Sequence, residues 1–124
     1  LGNVELLVAG SNVIPVMSGY TSPSPNVVSV SGDASGNFGW HATRNDSSFL
    51  WAKSFSSGDF WQIDFGAGVT HLADTLALTN HPTTNAVTPE DFTLQVSNDG
   101  ATYSTILTVT GQSWSAGQRI TYSI

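Results

Sequence analysis

The chain has 124 residues, of which 40% are hydrophobic and only 10% charged, with 3 Lys or Arg against 9 Asp or Glu and a net charge of −6. Three cations are too few to neutralise the phosphates of a nucleic acid, and the same shortage disfavours an anionic membrane surface. Cysteine is absent, which excludes a disulfide framework, a thiolate metal site and a cysteine nucleophile.

Alternating apolar and polar residues mark short strands at residues 4–9 and 26–30. Between them, residues 18–25 contain two prolines and read as a loop or linker. As a linker they divide the chain into a lead-in over 1–25, tethered to a neighbouring module, and a β-sandwich over 26–124. Residues 31–37 and 79–89 are too rich in Gly, Asn, Thr or Pro for a stable helix. In residues 60–65, Trp61, Ile63 and Phe65 share one face while Gln62 and Asp64 share the other. Leu76 and Leu78 point one way in 75–79, and Phe92, Leu94 and Val96 point inward in 91–96. Ser97-Asn98-Asp99-Gly100 is a tight hairpin turn, because Asn, Asp and Gly tolerate positive φ. It leads into a strand at 103–109, and a last one at 119–124 sets Ile120, Tyr122 and Ile124 on one side. About seven short strands separated by turns describe an all-β sandwich. The 4 Trp, 6 Phe and 3 Tyr argue against disorder. No apolar run approaches the roughly 20 residues that span a bilayer, and the first residues do not read as the basic n-region of a signal peptide. The start at Leu1 predicts a processed product or a piece of a longer chain.

Chemistry is sparse. His41, His71 and His81 have no compact metal-binding spacing. No Gly-x-Ser-x-Gly turn exposes a nucleophile, and no glycine-rich loop opens a helix to hold phosphate. Catalysis is not expected. Trp61, Phe65, Phe92 and Tyr122 fall on inward faces and read as core, whereas Trp114 fits edge packing or a rim contact equally. Phe38, Trp40 and His41 sit in a Gly-, Asn- and Ser-rich stretch, and His81 opens a second polar loop that contains Asn85. Aromatic faces in such loops stack on sugar rings while polar neighbours hold the hydroxyls.

Three segments together resemble discoidin domains, also called coagulation factor V/VIII type C domains. Phe60-Trp61-Gln62-Ile63-Asp64-Phe65-Gly66 resembles their aromatic-x-Ile-Asp-apolar-Gly strand. Pro89-Glu90-Asp91-Phe92-Thr93-Leu94-Gln95-Val96-Ser97-Asn98-Asp99-Gly100, followed by Tyr103, is similar to their Pro-x-Asp-Phe-x-Leu-x-x-Ser-Asn-Asp-Gly segment. Trp51 with Ser54 resembles the Trp-x-x-Ser step upstream, which makes Trp51 core as well. The lead-in, residues 13–17 through 27–31, resembles that of discoidin-like modules on bacteriophage tail proteins. The resemblance implies a jelly roll of about eight strands whose end loops bind glycans, lipid headgroups or proteins without catalysis. In sugar-binding relatives those loops carry an aromatic, a His or Asn, and an Arg, which points to Trp40, His41, Arg44, His81 and Asn85 as ligand-binding residues.

The chain departs from the pattern twice. Arg44 stands where relatives place an Asp that helps hold a structural calcium, and a guanidinium repels a dication. No cofactor is therefore expected: calcium would need Asp46 to take that place after a shift of the loop, with oxygens from Asn45, Ser47 and Ser48, and the structural alternative is that Arg44 replaces the ion and pairs with a carboxylate such as Asp46 or a backbone carbonyl. The aromatic- and Arg-rich strand that ends relatives is also missing after residue 124: either this fragment lacks it or another chain supplies it, and the exposed edge predicts a place in a larger oligomeric assembly. The expected function is a carbohydrate-binding adhesion module, extracellular on a phage virion or tail, directed at host cell-surface glycan. Its rival is a structural virion domain joining other virion or parent-protein domains, and a third reading is an accessory module of a glycosidase.

Overall fold

The computed structural model describes residues 1–84 and 87–124. The fold is all-β, with eight strands among the described residues, paired in antiparallel sheets. These are β1 (Asn3–Val8), β2 (Ser11–Asn12), β3 (Val27–Val30), β4 (Trp61–Asp64), β5 (Thr75–Thr79), β6 (Phe92–Val96), β7 (Ser104–Val109) and β8 (Arg119–Ser123). A four-stranded sheet has the order β2-β1-β5-β8, and β3–β4 and β6–β7 form two further pairs. A short 3₁₀ helix, Gly39–Thr43, lies against β1 and β3.

The register of the large sheet follows from where the apolar residues stand. Val4 and Leu6 of β1 face Leu78 and Leu76 of β5, which face Ile120 and Tyr122 of β8. One side of the sheet is thus a continuous apolar surface, as the period of two requires. Val30, Trp61 and Ile63 of the β3–β4 pair and Phe92, Leu94 and Leu107 of the β6–β7 pair pack against the same core, together with Trp51 and Ile14. Trp114 also packs against this core, and its indole N–H donates to the carbonyl of Pro89 at 2.9 Å, which resolves its role as edge packing.

The separation of residues 1–25 as a lead-in is corrected by the pairing. β1 is an inner strand between β2 and β5, and Leu1, Val4, Ile14 and Met17 are buried. The proline-bearing stretch folds back as a turn: Ser18 N–H donates to Ser22 at 2.8 Å, and Val28 N–H donates to Tyr20 at 2.8 Å. Its prolines, both exposed, therefore stand in a hydrogen-bonded turn instead of spacing two bodies apart.

Two local features explain boundaries. β1 ends at Val8, not at residue 9, because Ala9 and Gly10 both take positive φ, 49° and 83°. That is the two-residue turn whose twist matches a hairpin. The side chain of Asp74 accepts the Ala9 N–H at 2.8 Å. In the β6–β7 ribbon a bulge between Leu94 and Gln95 breaks the register and leaves Ile106 unopposed. Beyond it Val96, expected to point inward, is 45% exposed, since bulges bend a strand and interrupt its alternation.

Candidate functional site

The 3₁₀ helix exists because its backbone can enter a tight space. A side-chain carbon on Gly39 would come within 2.3 Å of Val30 Cγ1. The Gly39 carbonyl accepts the Trp61 indole N–H at 2.8 Å, and its own N–H donates to Asp33 Oδ1 at 2.8 Å. At the other end Thr43 Oγ1 accepts the Met17 N–H and donates to the Trp40 carbonyl, both at 2.9 Å.

This anchored turn gathers Trp40, His41 and Arg44 with two further rings. The His41 ring meets Trp40 edge-on at 4.3 Å and Phe49 at 4.8 Å between centroids. Phe38 stacks beside Trp40 at 6.3 Å. The Arg44 guanidinium carbon lies 4.1 Å over the Phe49 ring and 5.6 Å over Trp40. Among the described residues Arg44 has no carboxylate partner, so the expected pairing with Asp46 is replaced by cation–π contact, worth about 0.5–2 kcal/mol depending on desolvation. Asp46 Oδ1 instead accepts the Ser48 N–H at 2.9 Å within its own turn. A guanidinium packed in this way does not fit a calcium site.

His41 is only 5% exposed. Burial pushes its pKa below the ordinary value; the Leu50 backbone opposes this, Arg44's charge adds to it, and Asp33 opposes it. The ring is therefore a neutral packing element. Its Nδ1 and the Arg44 Nε are both buried without a partner.

His81 stands apart from that stack but is linked to it through Phe49. Both line an open cleft of about 340 Å³. Its base is the end of the large sheet, where Asn3 and Thr79 are cross-strand neighbours. One wall is Phe49 with the turn at Asn45, Asp46 and Ser47; the other is His81 with Pro82. Asn45 has φ 50° and donates its N–H to Asn3 Oδ1 at 3.1 Å; Asn is among the few residues that take this conformation readily.

The His81 wall is held by Asn80, which is fully buried. Its Oδ1 accepts the Thr88 hydroxyl and its Nδ2 donates to the Ser115 carbonyl, both at 2.9 Å. His81 Nδ1 accepts the Thr83 N–H at 3.3 Å. Three lining residues contribute a buried polar atom with no partner: Asn3 Nδ2, Thr79 Oγ1 and His81 Nε2. Buried polar atoms are nearly always paired, and leaving one unpaired costs about 1–3 kcal/mol.

Of the residues singled out in the sequence, Trp40, His41 and Arg44 come together, and His81 joins them across Phe49. Asn85 lies outside the described residues. Asn3, Phe49 and Thr79 were not singled out. The one signal for Asn3 is an amide opening an otherwise apolar run, Asn3-Val4-Glu5-Leu6-Leu7-Val8; the partnership with Thr79 depends on strand register, which no local pattern displays. Among the described residues no group of three or more His, Asp or Glu side chains gathers as a metal site. The other two cations sit in ion pairs, Lys53 with Asp59 and Arg119 with Glu5. No family model, curated protein or solved structure matches the chain.

Proposed function

We propose that the chain is a discoidin-like jelly-roll sandwich that serves as a non-catalytic carbohydrate-binding module, extracellular on a phage virion or tail. One observation carries the reading: a cleft with an aromatic wall whose lining residues hold three unpartnered buried polar atoms. A sugar supplies what both need, an apolar ring face for Phe49 and oxygens for the polar atoms. Trp40, His41 and Arg44 brace Phe49 from behind, while His81 meets the ligand. Binding is weak for one copy and useful for many, since joint engagement adds 10²–10⁴ in avidity.

The test is a screen of the folded chain, displayed multivalently, against a glycan array and intact bacterial cells. Specific binding that is abolished by Phe49→Ala or His81→Ala and weakened by Trp40→Ala is the expected result. Silence from a folded, multivalent sample rejects the reading.

A second reading is a structural virion domain whose partner is protein. It is favoured by Val96, Tyr103 and Ile106, all more than 40% exposed on or beside the β6–β7 ribbon. It predicts protein association that is lost in a Val96→Ser/Ile106→Ser double variant and indifferent to Phe49→Ala.

A further inference from the structure

We propose that β8 is a dimerisation edge: two copies of the chain pair β8 with β8, antiparallel and centred on Thr121, so that their large sheets become one. The edge belongs neither to the cleft nor to the β6–β7 ribbon, and the pairing holds whether or not either of those surfaces binds a partner.

Among the described residues β8 pairs on one side only, with β5. The ends of that ladder show which backbone groups are left over. Asn80 N–H donates to the Gln118 carbonyl at 2.8 Å, and Ile124 N–H donates to the Asp74 carbonyl at 3.0 Å. Hydrogen-bonded pairs alternate with non-bonded ones in an antiparallel ladder, so in the unbroken register between these ends Ile120 and Tyr122 bond to Leu78 and Leu76. The N–H and carbonyl groups of Arg119, Thr121 and Ser123 point the other way, out of the sheet edge. Exposure agrees with this. On one rung Ala77 of β5 is 0% exposed, while its neighbour Thr121 is exposed. On the rungs either side Leu76 and Leu78 are buried, while Tyr122 and Ile120 are only half-buried.

Folded proteins blunt their sheet edges with short strands, bulges, prolines, charges or a covering segment, because an open edge is a template for pairing. Such devices are present elsewhere in the molecule. β2 is two residues long. The far side of β3 is covered where Val28 N–H donates to Tyr20. The β6–β7 ribbon is bulged and has Glu90, Asp91 and Asp99 at its ends. β8 has none of them. Arg119-Ile120-Thr121-Tyr122-Ser123 contains no Pro, Gly or Lys, its register has no shift, and its one charge is turned back across the sheet onto Glu5 at 2.7 Å.

The charge pattern selects a second copy as the occupant. Two chains of net charge −6 repel wherever their carboxylates approach. Residues 100–124 contain no carboxylate, and Glu5 is paired with Arg119. With Thr121 facing its own counterpart, Arg119 stands opposite Ser123 of the second copy, so no like charges meet. Ile120 stands opposite the second copy's Tyr122, and each covers the other's half-buried side as a cross-strand pair of β-branched and aromatic residues. The outward backbone groups then make about six reciprocal hydrogen bonds. Each copy presents the same residues to the other, as a two-fold interface requires.

The experiment is sedimentation of the full chain from about 10 μM to about 1 mM, since an interface this small is weak, with amide exchange measured at both ends of that range. A dimer is expected at the high end. There the amides of Arg119, Thr121 and Ser123 should be protected, and they should exchange freely on dilution, while those of Ile120 and Tyr122 stay protected throughout. Thr121→Lys sets two cations opposite each other and is expected to weaken dimerisation by at least about tenfold, as is Thr121→Glu. A mixture of the two variants is expected to pair again. Both substitutions fall on an exposed side chain and should leave the thermal midpoint of the dilute chain in place. Phe49→Ala should dimerise as the parent chain does, which separates this result from the glycan reading. A monomer at every concentration overturns the proposal, as does free exchange at Thr121 in a concentrated sample, which tests the edge in the parent chain without any variant. A dimer that survives Thr121→Lys, or is lost in the Val96→Ser/Ile106→Ser double variant, overturns the assignment to β8. Failure of the mixed variants to pair overturns the register centred on Thr121.

Discussion

β5 and the β6–β7 ribbon are written in the same alternating code and end at different depths. β5 is flanked by β1 and β8, and its Leu76, Ala77 and Leu78 are buried. The ribbon has no third strand among the described residues, and none of its residues is fully buried. Alternation in a sequence specifies which face of a strand is apolar. Depth is set by how many neighbours close over that face, and those neighbours come from distant parts of the chain.

The most forceful way to break this contrast is truncation on each side. Leu78→Ala, at a side chain 5% exposed, is expected to cost about 2–5 kcal/mol. Ile106→Ala, at 46% exposed, is expected to cost under about 1 kcal/mol. Urea unfolding of both variants checks the pair, and equal losses would erase the distinction. Overfilling the deep side comes next. Gly39→Ala would press a methyl against Val30 and is expected to cost about 1–3 kcal/mol, read in the same assay and accompanied by a changed Trp61 fluorescence. A smaller change goes the other way: Ala9→Gly relieves a left-handed alanine in the β1–β2 turn and is expected to gain under about 1 kcal/mol.

The smallest effect centres on the ribbon and depends on pH. The backbone N–H groups of Thr102 and Ala101, then the Ser97 hydroxyl, hold the Asp99 carboxyl down at about 2. A lowered carboxylate pKa means that its contribution is complete above the unfolded value, near 3.8, and is lost as pH falls from there toward about 2. Amide exchange at Ala101 and Thr102 is therefore expected to rise, relative to intrinsic rates, below about pH 4, as is that at Ala9, whose N–H is held by Asp74, a carboxyl also lowered by that bond, while the inner β5 amides of Leu76–Leu78 keep their protection. A simultaneous rise in both regions would mean that the ribbon and the large sheet open as one unit.

The strands over 60–65, 75–79, 91–96 and 119–124 were legible because their alternation is local, and Ser97-Asn98-Asp99-Gly100 marked the break after Val96; the tight turn expected there is instead a seven-residue connection, since Val96 pairs with Ser104, and of Asn98, Asp99 and Gly100 only Gly100 takes positive φ, 69°. The inner position of β1 was not legible, since it depends on Asn3–Leu7 meeting Thr75–Thr79 across most of the chain. A proline-bearing stretch then reads equally as hinge or as packed turn. The candidate site divides in the same way. Trp40, His41 and Arg44 were visible as a group because one short helical turn joins them. What Arg44 would face was not: Asp46 is nearer in sequence, but its carboxylate is engaged by Ser48, and the Phe49 ring covers the guanidinium. Asn3 and Thr79 belong to the site only through register, and Phe49 only through the loop that carries it.

The bonds in the 97–100 turn also govern how the molecule ages. An exposed Asp-Gly step isomerises when the glycine nitrogen attacks the aspartate side chain. Here the Gly100 N–H is engaged by Ser97 Oγ at 2.9 Å, while Asp99 Oδ1 is held by Ala101 and Thr102 at 2.9 and 2.7 Å. Nucleophile and electrophile are both restrained, so the folded chain should accumulate isoaspartate slowly in storage. A Ser97→Ala variant, freed on the nucleophile's side, should accumulate it faster. The serine that shapes the hairpin thus also lengthens the interval over which the ribbon keeps its covalent structure.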